Sequence, residues 1–382
     1  MRVMFYAPLK PPTHPVPSGD RRVARLLMRA IEAAGHRVEL ATRFRSRDGT
    51  GDADRQEKMA ALGKRVADRL IRLLHARPKN ELPEIWFTYH LYYKAPDYIG
   101  PAVCREFNIP YIVAEASHAA KQADGPWAIG HRAAEEGIRA ADRIVLLNSA
   151  DLEGLEEIVA DHASIIRQAP FIDTASFTQA ALAWDSHRAA LAEELGLDPA
   201  KPWLACVAMM RHGDKLQSYR ALAEALGKLV DLDWSLIVVG DGATRPVVES
   251  VLENAAPGRT VFVGRREGSN MSRILAASDI YVWPAINEAF GMALLEAQAS
   301  GLPVVAGGYG GVADVVTDGG IVTPAGDIDA FADAVRLLLT DIERRDNLAA
   351  AAQRTVTDIA LASRSLDRVL RDVVPEREDA LT

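Results

Sequence analysis

Two successive series of short, β-rich apolar runs constrain this chain more than any other feature, because each run is followed by Gly or Pro punctuation and then by a stretch of helical period. In the first series, residues 3–7, 38–41, 85–89, 111–114 and 144–147 read as strands. Between the first two, Val23, Leu26, Leu27, Ala30, Ile31 and Ala34 fall at spacings of three and four, which only a helix brings onto one side, and Gly35 stops it. In the second series, residues 203–208, 236–239, 261–263, 280–283 and 304–306 read as strands. The alternation predicts an α/β protein with parallel sheets, built twice.

A length of 382 residues favours two domains. The spacing predicts an N-terminal domain over 1–173, an Ala-rich helical linker over 174–200, a C-terminal domain over 201–357 and a last helix over 358–382. Two α/β domains of similar size imply a cleft between them, and open α/β sheets bind ligands beyond the carboxyl ends of their strands. Cys104 and Cys206 are the only cysteines and form no CxxC or Cys/His cluster. Neither a disulfide framework nor a metal site is expected. No run approaches the roughly 18 apolar residues of a bilayer span, and no signal-peptide apolar region forms, so the expected location is cytoplasmic.

The net charge of −8 argues against wholesale nucleic-acid binding, but it is unevenly spread. Residues 1–80 hold 18 Lys/Arg against 8 Asp/Glu, a surplus of ten positive charges. Within them Met59, Leu62, Val66, Leu70 and Leu73 make a helical stripe surrounded by Lys58, Lys64, Arg65, Arg69 and Arg72. Such a helix either packs on its own domain or lies against an anionic bilayer surface.

Chemistry concentrates in residues 280–306. A strand ends at Pro284, a loop carries Glu288, Phe290 and Gly291, a helix runs over 292–299, and Gly301 ends it. The amides at the helix start, near Met292, can bind a phosphate, and Gly291 permits close backbone approach. Glu288 and Glu296 can accept hydrogen bonds from sugar hydroxyls, or be a helix-start charge and a solvated helix residue. A second group, Arg211 and Lys215, follows the strand at 203–208; two cations suit a diphosphate, although a solvated surface pair has the same spacing. Gly240, Asp241 and Gly242 close another strand, and Gly264 and Arg265 close the next. In the first half, Gly19 and the competent N-cap Asp20 precede the first helix. His90 and His118 each follow a candidate strand, where a histidine is able to orient a hydroxyl.

The stretch containing Glu288, Phe290, Gly291, Glu296, Ala297, Gly301 and Pro303, continuing through Gly310, Gly311, Gly319 and Gly320, resembles the Glu-x7-Glu motif of the retaining glycosyltransferases of family 4. The resemblance implies the GT-B fold: two Rossmann-like parallel-sheet domains facing across a cleft, acceptor on the first and nucleotide-sugar donor on the second. A last helix with Leu366, Val369, Leu370 and Val373 would return to the first domain. It further implies a retaining, metal-independent hexosyltransferase needing no cofactor, acting on a glycan, lipid-linked or small-molecule hydroxyl acceptor, with peripheral contact on the inner membrane face as an additional expectation. Catalytic roles fall to His118, Arg211, Lys215 and Glu288, and donor binding to Gly19, Gly240, Arg265, Phe290, Gly291, Met292 and Glu296. The family usually has two glycines where this chain keeps only Gly19. It has an Arg and a Lys one residue further apart than Arg211 and Lys215. Its histidine lies about two residues nearer the strand than His118, so Glu115 or Ser117 shares or replaces that role, with His90 in reserve. A GT-B sugar-nucleotide 2-epimerase and a non-catalytic sugar-nucleotide binding module are the alternatives.

Overall fold

The computed structural model describes residues 1–16, 18–288 and 291–374. The chain forms two compact units, Met1–Ala169 together with the chain from Ile359, and Pro170–Asp358. The first unit contains strands β1 (Arg2–Tyr6), β2 (Arg37–Leu40), β3 (Ile85–Leu91), β4 (Tyr111–Ala116), β5 (Arg143–Leu146) and β6 (Ile165–Arg167). They form one sheet in the order β2-β1-β3-β4-β5-β6, every pair parallel. Helices α1 (Gly19–Ala33), α2 (Ala53–His75), α3 (Gly100–Phe107), α4 (Ala128–Arg139) and α5 (Leu152–Glu156) connect them. Six of the seven β3 residues are buried, as a parallel strand covered on both faces requires.

Local sequence explains α1. The Ser18 hydroxyl accepts from the Arg21 amide at 3.3 Å, and Val23, Ala24, Leu26, Leu27, Ala30 and Ile31 form the buried stripe. Gly35 takes a φ of 84° and its amide donates to the Glu32 carbonyl at 2.9 Å, ending the helix where expected.

The second unit opens with β7 (Phe171–Ile172), α6 (Ala175–Ala181) and α7 (Trp184–Leu195). Its sheet consists of β8 (Trp203–Val207), β9 (Ser235–Val239), β10 (Thr260–Gly264), β11 (Ile280–Trp283), β12 (Val304–Gly307) and β13 (Gly320–Thr323), in the order β10-β9-β8-β11-β12-β13 and again parallel throughout. Helices α8 (Asp214–Gly227), α9 (Arg245–Ala255), α10 (Ser269–Ala277), α11 (Met292–Ala299), α12 (Val312–Val315), α13 (Ile328–Thr340) and α14 (Ile342–Thr355) follow, and β14 (Thr357–Asp358) pairs with β7. The last helix, α15 (Ile359–Val373), belongs to the first unit, burying Ala362, Leu366, Val369 and Leu370. The His36 imidazole, beyond the end of α1, meets Asp367 of α15 at 2.8 Å.

Three expectations change. Residues 174–200 are not a linker: α6 and α7 pack on α10 within the second unit. The buried Arg188 holds them there, its Nη1 donating to the Ala277 carbonyl at 2.6 Å and to Asp279 Oδ2 at 2.9 Å, with its guanidinium 3.7 Å from the Trp203 ring centre. Edge strands β6 and β13 also escape the pattern, since three or four mostly half-buried residues are too few to show a period. Finally, α2 buries Gln56, Gly63, Ala67, Leu70 and Leu74, while Leu62 and Leu73 are exposed beside Lys58, Arg65, Arg69 and Arg72. The small residues Gly63 and Ala67, invisible to a count of large apolar side chains, set the packed face: a Cβ at Gly63 would lie 2.5 Å from Tyr98 Cβ.

Candidate functional site

In the second sheet the strand order reverses between β8 and β11, and a crevice at the carboxyl ends of two such strands is where open α/β sheets bind ligands. The loop after β8 carries Arg211 and leads into α8 with Lys215 in its first turn; the loop after β11 carries Glu288 and leads into α11. Lys215 Nζ and Glu288 Oε2 meet as a hydrogen-bonded ion pair, with both side chains largely buried. Trp283, the last residue of β11, supports both: its indole Nε1 donates to Glu288 Oε2 at 3.4 Å, and its ring centre lies 5.3 Å from Lys215 Nζ.

The two loops are tied at further points. Ser218 of α8 accepts from the Ile286 amide at 3.0 Å and donates to the Asp214 carbonyl at 2.9 Å. Asn287 donates to Asp214 Oδ1 at 3.1 Å. Ala285 and Asn287 both hold positive φ, 58° and 50°, so the loop before Glu288 stores backbone strain that these contacts offset. Gly291, at φ 61°, caps α11.

Glu296 is buried on α11, as is Met292, so the solvated-helix alternative for Glu296 does not hold. Burial pushes the Tyr281 phenol of β11 well above the ordinary range, and the Glu288 and Glu296 carboxylates act in the same direction. Arg211 is exposed in the second half of its loop. Phe290 lies outside the described residues.

Gly240 and Gly242 serve this loop through packing. A Cβ at Gly240 would lie 1.9 Å from the Ala208 carbonyl oxygen, and one at Gly242 would lie 2.2 Å from that of Met210. The Ala208 and Met210 amides bond Val239 and Asp241 at 3.0 Å each, so only glycine lets the segment leading to Arg211 sit this close. Arg265, beyond edge strand β10, pairs with Glu267 on the surface, two strands away from β8.

The first sheet reverses between β1 and β3. Gly19 opens α1 there, and a Cβ on it would meet nothing within 4 Å. His90 of β3, at φ 64°, places Nδ1 3.4 Å from Asp20 Oδ1 and 3.6 Å from Glu115 Oε1, and Glu115 itself sits at φ 57°. Burial opposes the imidazolium, but the Glu115 and Asp20 carboxylates outweigh it and hold the His90 pKa at about 9. Burial raises Glu115; at Asp20 burial also pushes upward, but the hydrogen bond to His90, the His90 charge, a backbone hydrogen bond and the Lys10 charge together outweigh it and lower the carboxyl. His118 points elsewhere, to Glu135 at 3.9 Å and Glu157 at 3.7 Å. β4 runs on to Ala116, two residues past its expected end, and His118 just beyond it faces Glu135 of α4 rather than Asp20, leaving His90 as the histidine beside the α1 N-terminus. Sequence reasoning ranked these two the other way. It also passed over Trp283, Ser218 and Asn287, which carry no motif and are recognised only through their contacts.

Two parallel six-stranded sheets with these strand orders define a GT-B protein. Residues 201–341 match the family described as glycosyl transferases group 1, which the Glu288-to-Pro303 stretch resembles. D-inositol 3-phosphate glycosyltransferases are 28% identical: the one from Nocardia farcinica over 74% of this chain, and the one from Xylanimonas cellulosilytica over 86%. The chain spans 64% of the length of the first and 84% of the second. The crystal structure of Anabaena HepE in complex with UDP shares the fold, with a TM-score of 0.74 over 97% of this chain and 100% of HepE at 14% identity.

Proposed function

We propose that this chain is a retaining, metal-independent glycosyltransferase that moves a hexosyl group from a nucleotide-diphosphate sugar to a hydroxyl acceptor of glycan or glycolipid synthesis. The observation that carries the reading is the Lys215–Glu288 pair at the reversal point of the second sheet, within the segment that matches the family. In the resting protein each charge satisfies the other. An arriving diphosphate draws Lys215 away and, with Arg211 and the free amides of α11, stabilises the charge that develops as the glycosidic phosphate leaves. Glu288, released, accepts from a sugar hydroxyl, and Glu296 from the ribose. The incoming hydroxyl attacks from the face the phosphate leaves, passing its proton to a phosphate oxygen, so no enzyme nucleophile is needed.

The first unit is proposed to hold the acceptor, with His90 in the role expected of His118. Charged at neutral pH between Asp20 and Glu115, it suits a phosphate or a hydroxyl. The outer face of α2, with Lys58, Arg65, Arg69 and Arg72 beside exposed Leu62 and Leu73, suits a peripheral contact with an anionic membrane surface. Among the described residues no helix is long and apolar enough to cross a bilayer.

The test is a thermal-shift screen of UDP, GDP and ADP sugars, since a ligand that binds only the folded state raises its melting temperature. Transfer from the selected donor to an acceptor panel then follows, with chelator present and the product's anomeric configuration read by NMR. Retention supports the reading. An inverted product, conversion of the donor alone, or binding without turnover across the panel overturns it.

A further inference from the structure

Away from both reversal points, His118, His131 and Glu135 bring one imidazole nitrogen each and one carboxylate oxygen within 4.8 Å of one another. We propose that these three residues bind a divalent transition-metal ion, zinc by the chemistry of the set, which fastens the loop after β4 to α4.

His131 and Glu135 stand four apart on α4 and so share one helical face, while His118 arrives from the loop. One buried nitrogen of the cluster, His131 Nε2, has no hydrogen-bond partner among the described residues. A buried polar atom left so costs about 1–3 kcal/mol, which makes this an unfinished arrangement unless something completes it.

The surroundings hold the ligands in orientation. Arg139 donates through Nε at 3.0 Å and Nη2 at 2.8 Å to the same oxygen of Glu135, Oε1, leaving Oε2 to face His118 Nε2. On the opposite side of that ring Glu157 approaches Nδ1 at 3.7 Å, the placement of the outer carboxylate that commonly orients a metal-bound imidazole. The backbone is seated as well: a Cβ at Gly154 would lie 2.5 Å from the His118 carbonyl oxygen. Closing onto an ion at about 2.0–2.1 Å per ligand therefore falls to the side chains, which must draw in by on the order of 1 Å.

Charge and donor type select the ion. Glu135 and Glu157, with Asp124 nearby, outnumber Arg139 and favour a cation. Two imidazoles and one carboxylate suit zinc, whereas magnesium and calcium take oxygen ligands. Glu135 is partly exposed, which leaves a path for the ion and a position for water. The ion is structural: it acts apart from Lys215 and Glu288, and the transfer chemistry proposed above does not pass through it.

The experiment uses the full chain, stripped with EDTA and exchanged into chelator-free buffer, then titrated with zinc chloride by calorimetry and with cobalt(II) chloride by visible absorption. One saturable equivalent, a cobalt spectrum of low coordination number and a zinc-dependent rise in melting temperature are expected. His131→Gln and Glu135→Gln should each weaken zinc binding by about tenfold or more, and His162→Gln should leave it unchanged. If His131→Gln does not fold, Glu135→Gln, altered at a partly exposed position, decides alone. Absence of saturable binding, or binding that survives the Glu135 substitution at full strength, overturns the proposal.

Discussion

Lys215 and Glu288, separated by 73 positions in sequence, form one ion pair across the reversal point of the second sheet. Their juxtaposition results from the strand order: β8 and β11 are neighbours although β9 and β10 intervene in the chain, so the loops leaving them must meet. Trp283 supports the pair from one side, its indole donating to Glu288 Oε2 and its ring facing Lys215 Nζ.

Replacing either partner should strongly slow transfer without unfolding the protein. Lys215→Ala and Glu288→Gln are each expected to lower kcat by about 10²–10³, the range typical of a lost electrostatic group at a developing charge. Circular dichroism and melting temperature should stay close to the parent's. Turnover at the parental rate in either variant removes that residue from the mechanism.

Glu296 stands in a different relation to the chemistry. Buried on α11 and assigned to the ribose, it should affect nucleotide affinity more than the chemical step. Glu296→Ala is expected to weaken nucleoside diphosphate binding by about 1.5–3 kcal/mol, as measured by calorimetry, through loss of a charge-assisted hydrogen bond. Unchanged affinity would exclude the ribose contact.

Gly240→Ala tests whether the Gly-Asp-Gly turn acts through packing. The added methyl would overlap the Ala208 carbonyl, and backbone on both sides prevents a small adjustment. A loss of more than about 1 kcal/mol in urea unfolding is expected, together with weaker donor binding as the segment bearing Arg211 shifts. Normal stability with weakened donor binding would instead mean that the glycine serves the ligand directly.

His90 gives stability a defined pH dependence. Its folded pKa of about 9 lies above the unfolded value near 6.5, so its contribution is complete below pH 6.5 and disappears as the pH rises through 9. Relative to His90→Gln, the parent should therefore lose unfolding free energy between pH 6.5 and 9, read from urea midpoints at several pH values. Parallel profiles for the two proteins would show that the imidazole is neutral in the folded state.

The two-series strand pattern determined the α/β class, most strand positions and the end of α1, because buried parallel strands and amphipathic helices impose periods that a few neighbouring residues reveal, whereas α1 begins at Gly19 with Ser18, not Asp20, as its cap. The run from Glu288 to Pro303 likewise pointed to the loop before α11 and to the start of that helix, since loop glycines and helix signals are local. Only the tertiary structure decided that Lys215 pairs with Glu288, that Arg188 makes 174–200 part of the second unit, and that His90 rather than His118 stands beside Asp20. Each of those facts depends on which strands become neighbours and on how small residues such as Gly63 and Gly240 let surfaces approach. Strand order and close approach are properties of packing among distant segments, and no short window of sequence carries them.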